Sequence, residues 1–391
     1  MELYILDSVG RRAQVLEDYE SFIWTERFAV IGDFRLTLQS TFENRARLAA
    51  GTRLMHNESY RVMMVETVED KTDKEGRSTL TVTGRSMETI FENRLARDVL
   101  SDLTTNPKWI LVGYPADIAR QMVADICNDG DLVPEDVVPF YDESPGFTYP
   151  EDTIDEPSDI IEYEVAPQSL YTALKTLCDV YDMGFRVYDE GFQEPYTFGV
   201  YMGADRTTQQ TDLPAVVFSP SLDNLQNTTE FTAVTNYKNV AYVISPVGSE
   251  IVYATDVDPS ITGYARRVLY VQADDIQDVV PADATARMVQ RGMEALAAAR
   301  SFSGFDGELN QNAQYRYGVD YNLGDLVELQ SNSGSVSVMQ VTEQIFVSDK
   351  VGYRSYPTLT TRSLIIPGSW DARSPDEVWD DVDPGETWDD A

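Results

Sequence analysis

Residues 80–100 read LTVTGRSMETIFENRLARDVL, and this stretch predicts how the first domain ends. Apolar and polar side chains alternate from residue 80 to residue 83, which is the pattern of a half-buried β-strand. Gly84 follows where a corner is expected, because a residue without Cβ turns the chain at little cost. Ser86 is expected to cap a helix whose apolar face carries Met87, Ile90, Phe91 and Leu95. None of these side chains is chemically reactive, which favours an assembly role over catalysis.

Outward from this stretch, β-rich parts of the chain enclose a mixed part. Alternating runs before residue 83 and after residue 216 predict strands, and helices are expected near residues 116–127, 167–181 and 282–300. Pro167 is expected at the start of the second helix and Gly184 just past its end. The predicted fold class is α+β and β-rich, with two β-barrel-like domains bracketing a mixed α+β insertion. The expected boundaries are 1–98 for the first barrel, 99–232 for the insertion with its acidic Pro-rich loop, 233–365 for the second barrel with one helix, and 366–391 for an acidic tail.

The chain is strongly acidic. Its formal net charge is −36, with 66 Asp and Glu residues against 30 Lys and Arg residues. A negatively charged surface repels phosphate backbones, so sequence-directed nucleic-acid binding is not expected. Two interpretations of the acidity stay open. It keeps the protein in solution, or it lines a wall that DNA must slide past without adhering.

Residues that could carry catalysis or bind a metal are sparse. His56 is the single histidine, and its polar surroundings, Met55-His56-Asn57, predict a surface turn. One histidine excludes a two-histidine zinc motif and disfavours a Ser/His or Cys/His nucleophile. Cys127 and Cys178 are each expected to be buried thiols within helices rather than partners in a disulfide. No metal and no cofactor are predicted, and because no apolar run reaches eighteen residues, no membrane insertion is predicted either.

Tryptophans recur in the acidic tail. Trp370, Trp379 and Trp388 lie nine residues apart, and an aspartate follows each of them. A nine-residue period fits neither a helix nor a strand that would bury all three side chains together. Exposed tryptophans in a charged segment that cannot fold alone favour docking on a partner surface. A solvated tail with incidental tryptophans is the alternative.

Several further stretches carry a family resemblance through their order and spacing. They are GDFRLTLQS (32–40), RLAAGTRL (47–54), TGRSMETIFENR (83–94), SLYTALKTLCDVYDMGFRVYD (169–189), VVFSPSLDNLQNTTEFTAVTNYKNVAYV (216–243), YGVDYNLGDLVELQ (317–330), VMQVTEQIF (338–346) and YPTLTTR (356–362). Together they resemble the baseplate-hub, or tail-associated, proteins of long non-contractile-tailed bacteriophages, in the branch found in siphophages of actinobacteria. The resemblance covers roughly residues 1–365.

This resemblance implies a structural virion protein at the distal end of the phage tail. Hubs of this kind are homotrimers in which each subunit contributes two related β-barrel domains, so three subunits build a pseudo-sixfold ring. The ring would sit below the distal tail protein and adapt the sixfold tail to a threefold tip. Its channel would pass the tape-measure protein and then DNA as a transient passenger. The tail with its three tryptophans would dock on other tail-tip proteins.

Arg85 is expected to be a structural or inter-subunit ion-pair donor where the first barrel meets the insertion. The alternative function is a tail-tip hydrolase that cleaves cell-wall glycan with carboxylates of the acidic insertion. Residues 101–165 hold 16 acidic residues against 2 basic ones, so carboxylate pairs are available there. A catalytic carboxylate pair has no sequence signature, and composition alone does not choose between the two functions.

Overall fold

The structure is a computed structural model. It describes residues 1–98, 108–128, 160–189, 196–233, 235, 237–254, 257–277, 281–299, 302–309, 315–330 and 336–361. The acidic loop around residues 129–159 and the tail 366–391 therefore lie outside the described residues. Two compact units are present: the first combines Met1–Phe231 with Ser303–Thr361, and the second contains Thr232–Phe302.

Strands account for most of the regular structure. In chain order they are β1 (Leu3–Leu6), β2 (Arg12–Leu16), β3 (Tyr19–Arg27), β4 (Asp33–Gln39), β5 (Arg53–His56), β6 (Met63–Thr72), β7 (Ser78–Ser86), β8 (Leu95–Ala96), β9 (Trp109–Gly113), β10 (Ile161–Val165), β11 (Gln168–Ser169), β12 (Gly184–Tyr188), β13 (Thr197–Tyr201), β14 (Val217–Phe218), β15 (Leu225–Ala233), β16 (Val240–Ser245), β17 (Gly248–Tyr253), β18 (Val268–Gln272), β19 (Phe302–Leu309), β20 (Leu326–Gln330), β21 (Val336–Asp349) and β22 (Gly352–Thr361). The helices are α1 (Phe42–Arg47), α2 (Pro115–Val123), α3 (Leu170–Tyr181) and α4 (Pro281–Ala298). Three 3₁₀ helices span Met87–Asn93, Pro220–Leu222 and Gly263–Ala265, and α2 continues as a π-helix, Ala124–Asn128.

One large sheet joins the beginning of the chain to its end. Neighbouring strands follow the order β15-β19-β22-β21-β3-β4-β7-β6-β5-β1-β2, with β20 beside β21 and β14 beside β20. Strand β3 pairs antiparallel with β21, which places Trp24 opposite Phe346. The described strands thus form an open path, without a closed barrel. Strands from both β-rich parts of the predicted architecture lie in this sheet, whereas β16, β17 and β18 form a separate sheet.

The alternation predicted for residues 80–83 is confirmed in the core of this sheet. Leu80 and Val82 of β7 are fully buried, and so are Leu36 and Leu38 on the neighbouring strand β4. Together with Trp24 they form one hydrophobic cluster. Each such side chain contributes about 1.5–3 kcal/mol when it is removed from water, so the buried face fixes the register of these strands.

The corner predicted at Gly84 is wrong, because β7 runs straight through this residue. A Cβ atom on Gly84 would lie 1.9 Å from the carbonyl oxygen of Met64 on β6. Close approach of two strands therefore requires the glycine. The predicted helix after it is the short 3₁₀ helix Met87–Asn93, and Ser86 does not cap it. The Ser86 hydroxyl instead accepts a hydrogen bond of 2.8 Å from the backbone N–H of Gly32.

The mixed part of the chain packs helices α2 and α3 with two antiparallel strand pairs, β9–β10 and β12–β13. The buried side chains of the two helical segments recur at helical spacing and include Ile118, Met122, Val123, Ile126, Leu170, Leu174, Leu177 and Cys178. Cys127 and Cys178 are both buried and free, as expected. This core is continuous with side chains from the first strands, including Met55 and Val62.

Helix α3 begins later than predicted but ends at Tyr181, as predicted. Ser169, not Pro167, is its N-cap, and its hydroxyl accepts a hydrogen bond of 3.1 Å from the backbone N–H of Thr172. Asp182 is the C-cap, and its φ of 58° is left-handed. Aspartate tolerates this conformation better than most residues. Gly184, the predicted stop, opens strand β12 instead.

The second unit is a small sheet covered on one face by a helix. Strand β16 pairs antiparallel with β17 and parallel with β18. Helix α4, expected near residues 282–300, buries Met288 and Leu296 against Ala241 and Val243 of β16. Among the helices that the structure describes, none is long and apolar enough to cross a membrane.

Candidate functional site: a cleft lined by arginine and tyrosine

A cleft of about 1130 Å³ opens on the first compact unit. Its lining comes from segments that are distant in sequence: residues 57–61 after β5, 186–188 on β12, 315–322 before β20, and 351–355 around the start of β22. The most buried lining residues include Glu26 on β3 and Phe346 on β21. The β3–β21 pairing therefore brings the two ends of the chain together at this cleft.

The cleft is rich in arginine, whereas the chain as a whole is acidic. Five arginines line it, namely Arg12, Arg61, Arg186, Arg316 and Arg354. Five tyrosines accompany them, namely Tyr60, Tyr188, Tyr315, Tyr317 and Tyr353. Only two acidic residues, Glu26 and Glu58, belong to the lining. A guanidinium group binds carboxylates and phosphates through paired N–H donors and stacks on aromatic rings, so the cleft is equipped to bind anionic and aromatic groups.

A tight turn presents Arg316 to solvent at this cleft. The backbone N–H of Arg316 donates to the Asp320 carboxylate at 2.7 Å, and that of Gly318 donates to the carbonyl of Tyr321 at 2.9 Å. Gly318 has a φ of 78°, a conformation that glycine adopts without strain. Tyr321 is fully buried and anchors the turn, with its hydroxyl donating to the Gln344 side chain at 3.0 Å. The turn leaves the Arg316 side chain exposed.

Glu26 lies beneath the cleft with only 1% of its surface exposed. The indole N–H of Trp24 donates to Oε1 at 3.0 Å, and the hydroxyl of Tyr317 donates to Oε2 at 3.0 Å. Burial, together with the Glu26 carboxylate, raises the pKa of Tyr317 well above its usual range. The phenol therefore stays protonated and remains a donor to the carboxylate.

Arg61 connects this carboxylate to a second one. Its Nε lies 3.8 Å from Glu26, its Nη1 donates to Glu88 at 3.3 Å, and its Nη2 donates to the Tyr201 hydroxyl at 3.1 Å. Glu88 also accepts a hydrogen bond of 2.8 Å from the backbone N–H of Val187. Burial lowers the pKa of Arg61, but the neighbouring Tyr201, Glu88 and Glu26 outweigh burial and leave the pKa raised. The buried guanidinium is permanently charged and ties β3, the 3₁₀ helix and β13 together.

Arg186 adds a second cation next to Arg61. Its guanidinium carbon lies 4.5 Å from the ring centroid of Tyr188 and 4.9 Å from that of Tyr201, within the range of cation–π attraction. The Nε atom of Arg186 is buried and has no hydrogen-bond partner in the part of the chain that the structure describes. Arg186 thus retains hydrogen-bonding capacity at the edge of the cleft.

The prediction that His56 lies in a surface turn is wrong. The side chain is fully buried, with its ring 4.9 Å from Trp24 and 4.7 Å from Phe346 between centroids, both in edge contacts. Nδ1 accepts a hydrogen bond of 3.2 Å from the backbone N–H of Glu58, which favours the tautomer protonated on Nε2. Burial lowers the pKa of His56 to about 4, so the imidazole is neutral at pH 7. His56 is a packing residue beneath the cleft.

Arg85, the predicted ion-pair donor, lies outside the cleft lining and pairs within its own chain. It binds both oxygens of Glu66, at 2.8 and 2.9 Å, and Glu92 at 2.8 Å. All three side chains are about one third exposed, so this network contributes little to the stability of the fold. The predicted role of Arg85 in partner docking stays a prediction. Trp370, Trp379 and Trp388 lie outside the described residues.

The residues that line the cleft are not predicted from the sequence. The arginines of the cleft are scattered from residue 12 to residue 354, and no local spacing connects them. One signal was present: the stretch YRYGVDY, residues 315–321, concentrates aromatic side chains around an arginine in an otherwise acidic chain. Among the described residues, no group of three or more His, Cys, Asp or Glu side chains is placed to hold a metal ion.

Residues 2–359 match the family described as Siphovirus ReqiPepy6 Gp37-like protein. The chain belongs to that family. The resemblance to a tail-associated protein of long-tailed phages is confirmed by this match. Family membership makes the Gp37-like chain a bacteriophage tail protein and a component of the virion tail. No curated protein sequence matches the chain.

Solved structures share the fold of this Gp37-like protein over nearly its whole length. The tail protein from Neisseria meningitidis MC58 has a TM-score of 0.55 at 14% identity, covering 92% of this chain and 95% of its own. The 43 kDa tail protein of prophage MuSo2 from Shewanella oneidensis has a TM-score of 0.56 at 14% identity, covering 92% and 98%. Prophage tail protein gp18 from Listeria monocytogenes EGD-e has a TM-score of 0.50 at 12% identity, covering 94% and 97%. At these identities the similarity concerns the fold alone.

Proposed function

We propose that this Gp37-like protein is the hub at the distal tip of the phage tail. Three copies form a ring below the distal tail protein and adapt the sixfold tail to a threefold tip. The channel of the ring passes the tape-measure protein and then DNA. The protein acts by assembly, and it catalyses no reaction.

The observation that carries this proposal is the family match over residues 2–359, with a tail-protein fold over 92% of the chain. A fold similarity of this extent leaves little of the described chain for an additional domain. The β3–β21 pairing supports a subunit with two β-rich parts side by side. In the proposed trimer these parts are two barrel-like domains, residues 1–98 and 233–365, and residues 99–232 form an insertion between them.

The acidity of the chain fits passage of DNA through the ring. If part of the net charge of −36 faces the channel, phosphates are repelled at close range and the DNA does not adhere. Arg85 is proposed to support a contact between subunits. Trp370, Trp379 and Trp388 are proposed to dock the acidic tail on a neighbouring surface at the tip.

Light scattering of the purified chain tests self-assembly into a trimer. We expect a mass three times the 44.0 kDa of the monomer, either for the chain alone or after the distal tail protein of the same phage is added. A mass of one or two chains under both conditions would contradict the trimeric hub.

A zymogram on peptidoglycan tests whether the protein is a hydrolase instead. We expect no clearing of the substrate by the purified chain. Clearing that disappears when acidic residues of segment 101–165 are changed to amides would refute the purely structural role. An unrelated tail hydrolase on the same gel shows that the substrate can be cleared.

A further inference from the structure

The arginines and tyrosines of the cleft are complementary to a ligand that is both acidic and aromatic. Five arginines and two glutamates line it, so the lining carries an excess of positive charge. Such an excess is unusual in a chain with a net charge of −36. Arg61 and Arg354 already pair with Glu88 and Asp349, whereas Arg316 has no ion pair among the described residues. A neutral or cationic partner would leave the Arg316 guanidinium without compensating charge.

One segment of this chain has the complementary composition. Residues 366–391 contain nine acidic residues and one arginine, together with Trp370, Trp379 and Trp388. Each tryptophan is followed by an aspartate, which places an indole and a carboxylate next to each other. We propose that the cleft binds this acidic Trp–Asp segment of the same chain.

Two arginines of the cleft are available for such a ligand. Arg316 is exposed and forms no ion pair within the described part of the chain. Arg186 stacks on Tyr188 and Tyr201 and has a buried Nε without a hydrogen-bond partner among the described residues. A carboxylate can bind the free guanidinium donors, and an indole can stack on a guanidinium plane or a tyrosine ring. The exposed Tyr60 extends the aromatic surface at the cleft.

The segment is long enough to reach the cleft of its own subunit. Strand β22 contributes Gly352–Ser355 to the cleft lining, and the described chain ends at Thr361, about 20 Å further along an extended strand. Trp370 follows Thr361 by nine residues, a length that spans up to about 30 Å when extended. Thirty residues follow Thr361 in total, so all three tryptophans have sufficient reach.

Fluorescence anisotropy of a labelled peptide tests the proposal. The receptor is the full chain with Trp370, Trp379 and Trp388 changed to alanine, so that its own segment does not compete through its indoles. The probe is a fluorescein-labelled peptide with the sequence of residues 366–391. We expect saturable binding that weakens at least tenfold when Arg316→Glu is introduced into the receptor, and at least tenfold when the tryptophans of the peptide become alanine.

Arg35→Glu is the matched control for Arg316→Glu. Arg35 is also exposed, has no ion pair among the described residues and lies outside the cleft lining, and the charge change is the same. This control is expected to change the affinity less than twofold. Absence of saturable binding, or equal weakening by Arg35→Glu and Arg316→Glu, would overturn the proposal. Circular dichroism of each receptor confirms that the variants are folded.

Photocrosslinking of the otherwise unchanged full chain provides a second measurement. With p-benzoyl-phenylalanine in place of Trp379, we expect crosslinks to peptides containing residues 57–61, 315–322 or 351–355. Mixing isotope-labelled and unlabelled chains distinguishes binding within one subunit from binding between copies. Crosslinks confined to other surfaces, or formed only with other tip proteins, would overturn the assignment of the cleft. This binding belongs to the chain itself, so its outcome is independent of whether the chain forms the tail-tip hub.

Discussion

His56 is enclosed by Trp24 and Phe346, and burial holds its pKa at about 4, below the usual value of about 6.5. In the unfolded chain the imidazole takes up a proton as the pH falls through 6.5, whereas the folded protein resists protonation until about pH 4. The unfolded state therefore binds more protons in this window, and stability falls as the pH falls. Between pH 6.5 and pH 4, protonation of His56 should lower the free energy of unfolding by about 3 kcal/mol. Urea denaturation at a series of pH values measures this loss.

His56→Gln is the control, because the many carboxylates of the chain also titrate at low pH. In the variant, the free energy of unfolding should fall less between pH 6.5 and pH 4, because only the carboxylates still titrate there. Parallel stability curves for the two proteins over this range would show that His56 is not buried as a neutral ring.

Gly84 is required by the approach of β6 to β7. A Cβ atom at this position would lie 1.9 Å from the Met64 carbonyl oxygen. The backbone of β6 cannot move aside as a flexible side chain can. We expect Gly84→Ala to lower the free energy of unfolding by about 3 kcal/mol or more. Gly113→Ala is the matched control on a strand, since its new Cβ would meet only Ile118 at 3.7 Å. A similar effect of both substitutions on the denaturation midpoint would contradict the close approach.

At the scale of elements, helix α3 offers a direct test of its cap. The hydroxyl of Ser169 accepts from the Thr172 N–H, so Ser169→Ala should cost about 1 kcal/mol of stability. Pro167 is exposed and precedes the helix, and Pro167→Ala should change the stability by less than about 0.5 kcal/mol. If the helix began at Pro167 instead, Pro167→Ala would lower the stability more than Ser169→Ala. Thermal or urea unfolding of both variants therefore shows which residue starts the helix.

The elements that sequence predicts correctly here are those with local periodicity. The helices around Ile118, Leu174 and Met288, and the alternation at Leu80 and Val82, depend on spacing within a single element. The β3–β21 pairing depends on contact between segments from opposite ends of the chain, and no local pattern signals it. For the same reason the burial of His56 and the convergence of five arginines on one cleft were not predicted. Caps and turns were misplaced by a few residues, because several residue types nearby could form them.

At the scale of the molecule, deletion of residues 371–391 separates folding from assembly. The first unit and the described second unit form their cores without these residues. We therefore expect the truncated chain to keep its circular dichroism spectrum. Phage particles carrying it should lose a contact at the tip, seen as a component missing from purified tails by mass spectrometry or as failure to assemble. Unchanged tail composition and unchanged infectivity would contradict a docking role for the tail.

This Gp37-like tail protein is proposed to be the trimeric hub at the distal tip. Electron cryo-microscopy of the virion tail, reconstructed first without imposed symmetry, tests place and copy number together. We expect three copies of the chain in one ring directly below the sixfold distal tail protein, surrounding the channel. Density for the chain elsewhere along the tail, or a ring with a number of copies other than three, would contradict a trimeric hub at the tip.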